Sequence, residues 1–109
     1  MNTKLNAEEI IKKQSSANLQ KDWESVGGHL YLTNKRLIFE SHAFNVQAGT
    51  TIIELDSITT VTKCWTLFLN SIRIFPNSIL VDTKAGRQFK FVLYNRGKWI
   101  TAIGDAQIK

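Results

Sequence analysis

From His29 onward, apolar and polar residues alternate with a period of two, the spacing of a strand that buries one face. His29 to Thr33 places Leu30 and Leu32 on one side and Tyr31 on the other. Asn34 and Lys35 suit a two-residue turn, after which Arg36 to Ala43 runs back with Leu37 and Phe39 opposed to Ile38 and Glu40. Turn chemistry and flanking pattern together read as a hairpin. Phe44 to Thr50, with Asn45 and Gly49, reads as a loop, and the β-branched Thr51 to Leu55 as a strand. Asp56 and Ser57 make a turn. Ile58 to Leu69, rich in Thr, Val, Trp and Phe, is an extended segment broken by Asn70 and Ser71. Ile72 to Phe75 and Ile79 to Thr83 read as two strands parted by Pro76, Asn77 and Ser78, because proline cannot donate to a ladder. Ala85 and Gly86 close a tight hairpin into Arg87 to Leu93, where Phe89, Phe91 and Leu93 alternate with Gln88 and Lys90.

The period changes at Tyr94. Asn95 is a candidate N-cap, and Trp99, Ile100, Ile103 and Ala106 or Gln107 recur at three- and four-residue spacing, one apolar stripe on a helix. The first 28 residues carry a weaker pattern. Asn6 followed by Glu8 and Glu9 can open a short helix. Ile10 to Leu19 reads as an edge strand, because Ser15, Ser16 and Asn18 oppose a long helix. Gly27 and Gly28 read as a turn. Six or seven short strands followed by one helix predict an antiparallel β-barrel or sandwich of about seven strands, with the C-terminal α-helix plugging an open end. The chain, residues 1–109, is expected to be one domain with its core over about 8–107.

Composition agrees with a folded domain: 43% of residues are hydrophobic and 21% charged, values that argue against disorder. Met1 to Lys13 carries Glu8 and Glu9 and no apolar run, so it does not read as a signal peptide, and no stretch reaches the roughly 20 apolar residues that span a bilayer. A cytoplasmic protein is expected, and the single cysteine, Cys64, suits a reducing compartment. Charge changes the picture more. Residues 1–56 hold six Lys/Arg against seven Asp/Glu, and residues 57–109 hold eight against two. The excess of cations therefore lies in the second half, where it favours an anionic partner if the side chains share a face.

The segment Gly28-His29-Leu30-Tyr31-Leu32-Thr33-Asn34-Lys35-Arg36-Leu37-Ile38-Phe39 closely resembles the signature of GRAM domains. The later runs Ile53 to Ile58, Asn77 to Ile79, Gly86 to Phe91 and Trp99 support it, so that the resemblance spans about residues 8 to 103. It implies a pleckstrin-homology-like (PH-like) fold and an intracellular module that binds lipid or protein, here resembling the small free-standing members found in bacteria. Within the signature, Leu30, Leu32, Leu37 and Phe39 are expected to fill the barrel, and Arg36 to bond loop carbonyls or a carboxylate.

Little in the sequence suggests catalysis. His29 and His42 could face each other across the hairpin, but with one cysteine and only Glu40 nearby a metal-ligand set is hard to complete. Cys64 has no histidine close in sequence to act as its base. The pairs Glu8–Glu9 and Asp22–Glu24 read as solvated. Gly27-Gly28 is followed by no Lys-Ser/Thr pair, so it is no phosphate loop, and no cofactor fingerprint is present. Three features are candidates for binding. The apolar run Trp65 to Leu69, including Trp65 and Phe68, lies beside Lys63 and Arg73, a combination that suits a membrane interface. Lys84, Arg87 and Lys90 surround the Ala85-Gly86 hairpin. Arg96 and Lys98 place cations at a helix start, where an anion would be favoured. The expected partner is an anionic membrane surface, peripherally at the inner face, or a protein. The protein-only alternative includes self-association into a homo-oligomer. The pI near 9.6 permits nucleic acid, but no aromatic-interleaved basic strand supports it.

Overall fold

Leu30, Leu32, Leu37 and Phe39 alternate with outward residues on two adjacent strands, and all four are buried. They seed one face of a curled sheet. The computed structural model describes residues 1–21, 24–42, 49–68 and 72–108, and at 21, 24, 65–68 and 72–77 the description is of the backbone. The strands are β1 (Ile11–Lys21), β2 (Glu24–Thr33), β3 (Arg36–Ser41), β4 (Thr50–Glu54), β5 (Ile58–Phe68), β6 (Ile72–Thr83) and β7 (Gln88–Val92), followed by helix α1 (Arg96–Gln107). A short 3-10 turn, Leu55–Ser57, joins β4 to β5. The strands form one antiparallel sheet in the order β4-β3-β2-β1-β7-β6-β5.

The two edge strands, β4 and β5, are consecutive in the chain but do not pair. The expected barrel is therefore a curled sheet left open along one seam, with α1 laid across it. Arg96 Nη1 donates to the Cys64 carbonyl at 2.8 Å near the helix start, and Gln107 Nε2 donates to the carbonyls of Leu55 and Ile58 at 3.2 Å near its end. The stripe expected on the helix turns inward: Trp99 and Ile103 are buried among Ala17, Leu19, Ile53, Ile79, Val81 and Phe91. The apolar inner faces of sheet and helix thus cover each other, the usual condition for a stable two-layer core.

Four local expectations are corrected. Gly27 and Gly28 do not turn the chain but lie inside β2, opposite Asn18 and Ala17. A Cβ on Gly28 would collide with the Glu40 carbonyl and stand 2.6 Å from Phe39 Cζ, so glycine there permits close strand approach. The strand expected at an edge, β1, is central, paired with β2 on one side and β7 on the other. The two strands expected around Pro76 are one strand, β6. Pro76 and Asn77 fall at the irregularity between the Cys64–Ser78 and Thr66–Phe75 pairs, a bulge position where a missing N–H is tolerated. Asn95 adopts a left-handed conformation (φ 56°) and makes no side-chain cap. Ala43, the loop residues 44–48 and the break at Leu69 to Ser71 lie outside the described residues.

The first ten residues form a strap over the outward face of the β2–β3 hairpin. Glu9, expected in solvent, is buried. Arg36 grips it with two bonds, Nε to Oε2 at 2.9 Å and Nη2 to Oε1 at 2.7 Å, and the Thr33 hydroxyl donates to Oε2 at 2.6 Å. Such a paired geometry is what makes a buried carboxylate tolerable. The Arg36 bonds hold the Glu9 pKa down at about 2, from an ordinary 4.5, against the opposing effect of burial. The sequence expectation for Arg36, a carboxylate and a carbonyl, holds: its second acceptor is the Lys4 carbonyl at 3.2 Å. Further along, Glu40 accepts from the Thr3 amide and hydroxyl, both at 2.6 Å, and from the Asn2 amide. Burial pushes the Glu40 carboxyl up, but these donors outweigh it and hold it below the usual range.

Candidate functional site

The register places the cationic and apolar candidates in two groups. Strand β7 pairs with β6 from Asp82–Gln88 only as far as Ser78–Val92. β5 and β6 continue together from Cys64–Ser78 to Phe68–Ile72. Trp65 to Phe68 and Ile72 to Phe75 therefore pair only with each other, a two-stranded ribbon that runs past the end of β7. Its four-residue reach along β5 corresponds to about 13 Å at about 3.3 Å per residue. Trp65, Phe68 and Arg73 belong to this ribbon.

Lys63, Lys90 and Arg96 lie around the base of the ribbon, and Lys98 follows Arg96 in the first turn of α1. Lys63 precedes Cys64 and is exposed, as is Lys98 in the first turn of α1. Lys90 sits across from Leu80, which pairs in turn with Thr62. The thiol of Cys64 locates Lys90 and Arg96 as its neighbours: burial pushes its pKa up, while the charges of those two residues pull it down. Arg96 is not free at its Nη1, which is bonded to the Cys64 carbonyl. With no Asn95 cap, the α1 start is held to the sheet by the Arg96 side chain.

Lys84 and Arg87 stand at the other end of β6, on the turn that follows Thr83. Both are exposed. The Arg87 guanidinium lies 5.0 Å from the Phe89 ring centroid, within cation–π range. Five residues of strand separate Thr83 from Ser78, about 17 Å, so these two cations and the ribbon are not one patch. Lys90, opposite Leu80, lies two strand positions from the Ser78–Val92 pair at the ribbon base.

The other residues considered for chemistry are placed apart. His29 lies opposite Glu40, while the His42 amide bonds the Gly27 carbonyl at 3.0 Å, two steps further along the ladder. His29 Nε2 is 3.1 Å from Gln14 Oε1, and its ring tilts against Tyr31 at 4.7 Å. Among the described residues no three His, Cys, Asp or Glu side chains are close enough to hold a metal ion. An open depression of about 420 Å³ lies between the β2–β3 turn and the end of α1, lined by Glu8, Lys12, Lys35, Asp105 and Ile108 among others. Its two acids and two lysines balance, and the Lys35 ammonium is held by the Ala7 carbonyl at 3.1 Å.

The ribbon is the feature that strand-by-strand reading missed. Breaking β6 at Pro76 hid the fact that β5 and β6, at 11 and 12 residues, outrun the five residues of β7. The available signal was that both flanks of Asn70-Ser71 are equally apolar and of matching length.

Comparison with known proteins agrees with this geometry. The GRAM domain model matches residues 1–97. No curated protein matches the chain significantly. Among solved structures, the C-terminal domain of an unknown protein from Leishmania infantum superposes with a TM-score of 0.75 at 21% identity, covering 94% of this chain and 88% of that one. The Vps36 N-terminal PH domain gives 0.70 at 17% identity, with 94% and 82% covered. The Slm1 PH domain in complex with phosphoserine gives 0.57 at 14% identity, with 88% and 91% covered. At these identities the likeness is one of fold: a PH-like sheet and helix.

Proposed function

Because this chain belongs to the GRAM domain family, we propose that it is a non-catalytic adaptor that settles on an anionic membrane surface, ribbon first, on the cytoplasmic side. The observation that carries this reading is the β5–β6 ribbon running past β7 with Lys63, Lys90 and Arg96 near its base; Lys98, exposed in the first turn of α1, is proposed to join them. An isolated two-stranded ribbon is marginal in water, and this one is built from Trp65, Leu67, Phe68, Ile72, Ile74 and Phe75. Immersion at headgroup depth would cover such residues, and aromatic rings favour that depth. The cations at the base would meet acidic headgroups, each contributing about 1 kcal/mol near an anionic bilayer. A PH-fold neighbour solved with phosphoserine is consistent with a phosphate-bearing ligand on this fold.

Vesicle co-sedimentation tests the proposal. Binding to vesicles containing phosphatidylserine is expected at low salt, with loss at high salt as the charges are screened. Vesicles of phosphatidylcholine alone are expected to bind little. Lys63→Glu and Lys98→Glu, both at exposed positions, are each expected to weaken binding roughly tenfold. Equal binding to neutral and acidic vesicles, or none to either, would overturn the proposal; the second result would favour a protein partner.

A further inference from the structure

The two edges of the sheet are not equally protected. The helix caps the β5 edge at both ends, through Arg96 on the Cys64 carbonyl and Gln107 on the Ile58 carbonyl. Among the described residues, none covers the first half of the β4 edge, Thr50–Glu54, in this way. Its ladder with β3 is regular from Arg36–Glu54 to Glu40–Thr50. Two bonds flank that ladder and fix its phase: the Ser41 amide donates to the Gly49 carbonyl at 3.1 Å, and the Leu55 amide to the Lys35 carbonyl at 3.0 Å. In an antiparallel pair, bonded and non-bonded positions alternate. Thr51 and Ile53 therefore bond toward β3, and the N–H and C=O groups of Thr50, Ile52 and Glu54 point away from the sheet. Among the described residues, the one side chain that reaches any of these groups is the Ser57 hydroxyl, which donates to the Glu54 carbonyl at 2.7 Å.

We infer that β4 is a self-association edge, joining a second copy of this chain by antiparallel strand pairing about a two-fold axis at Ile52. The segment Thr50-Thr51-Ile52-Ile53-Glu54 is β-branched at four positions and has none of the usual guards of an edge strand: no lysine, no proline, no bulge. Ile52 sits at its centre with 45% of its surface exposed. The segment is complementary to itself in this arrangement. Ile52 meets the second copy's Ile52, an apolar cross-strand pair. Thr50 falls opposite Glu54, so no like charges face each other. Within its own chain Glu54 stands opposite Arg36 in the β3–β4 ladder. Two bonds form between the Ile52 backbones and two from the Glu54 amides to the Thr50 carbonyls. The isologous contact closes on itself, giving a dimer and not a fibre. It leaves the ribbon and its cationic base free, so it stands independently of the membrane reading.

Sedimentation velocity over a concentration series, paired with amide exchange by NMR, tests the inference on the whole chain. The wild type is expected to pass from monomer to twice that mass as concentration rises. Over the same range the Ile52 and Glu54 amides are expected to slow at least about tenfold. Thr51 and Ile53, already bonded to β3, serve as controls that change little. Ile52→Lys, which sets two ammonium groups across the axis, is expected to stay monomeric with unchanged circular dichroism. A wild type that is monomeric at every concentration overturns the inference. So does a dimer in which the Ile52 and Glu54 amides exchange freely, or one that survives Ile52→Lys.

Discussion

Thr33, Asn34, Lys35 and Arg36 sit in one hairpin, and all four direct side chains at the strap. Thr33 and Arg36 hold Glu9, Asn34 bonds the Ile10 amide at 2.8 Å and the Glu8 carbonyl at 3.1 Å, and Lys35 takes the Ala7 carbonyl. The most distinctive stretch of the sequence is thus a clamp for the chain's own first turn. Glu9 gives this clamp a pH signature. Its folded pKa is near 2 and its ordinary value 4.5, so the ionised carboxylate stabilises the fold fully above pH 4.5 and loses that contribution as pH falls toward 2. The amount is up to about 3 kcal/mol. Glu9→Gln removes the charge, leaves Arg36 buried without its counterion, and is expected to cost about 3 kcal/mol at pH 7 by urea denaturation. The gap between wild type and variant should close as pH drops from 4.5 to 2. A gap that stays constant would mean that Glu9 is not ionised in the native state. Arg36 was legible as a residue needing loop carbonyls or a carboxylate, because a guanidinium on a core strand has few other options. Its partner was not, since Glu9 lies 27 residues away and beside Glu8 it looks like one of two surface acids.

At the scale of elements, period-two alternation located the hairpin β2–β3 and the strands β4 and β7, and three- and four-residue spacing located the inward stripe of α1, because in each the buried face is a separate set of residues. It failed where polar residues sit in a strand that is nonetheless central. β1 carries Gln14, Ser15, Ser16 and Asn18, yet pairs on both sides; its ladder bonds are backbone bonds and leave no mark on the side-chain pattern. It failed again at Gly27-Gly28, where glycine serves close packing and not a bend. The glycines accordingly separate into classes that substitution can test. Gly28→Ala drives a methyl into the Glu40 carbonyl and the Phe39 ring and is expected to destabilise by about 3 kcal/mol. A Cβ at Gly97 or Gly104 in α1 meets nothing within 4 Å, so Gly97→Ala and Gly104→Ala are each expected to stabilise by about 0.5–1 kcal/mol. Thermal melts of the three variants read the contrast directly. A Gly28→Ala protein as stable as wild type would show that β2 and β3 do not approach as closely as the register requires.

The molecule as a whole is a sheet that stops short of closure, and its parts divide by what depends on that seam. Trp99 and Ile103 seal the interior from the helix side, and the strap seals the outward face of β2–β3. Among the described side chains these tasks fall to residues outside the ribbon: β7 ends its pairing at Ser78, and the core residues of β6, Ile79 and Val81, lie on the barrel side of that point. Fold stability and membrane adsorption are therefore separable. Replacing residues 65–77 with Asn-Gly, so that Cys64 and Ser78 are joined by a tight hairpin turn, removes the apolar ribbon while retaining the last β5–β6 pair next to β7. The bond from Arg96 to the Cys64 carbonyl is also kept. The shortened protein is expected to melt within a few degrees of wild type, since every core side chain among the described residues is kept, and to leave acidic vesicles unbound. The cations Lys63, Lys90, Arg96 and Lys98 all remain in it and Arg73 is lost, so a loss of binding larger than that of Arg73→Gln in the full-length protein would assign the apolar contribution to the ribbon, beyond general electrostatic attraction. A shortened protein that still sediments with acidic vesicles as wild type does would place the contact on the cations alone. A collapse in melting temperature would instead show that the ribbon is folded back as part of the core.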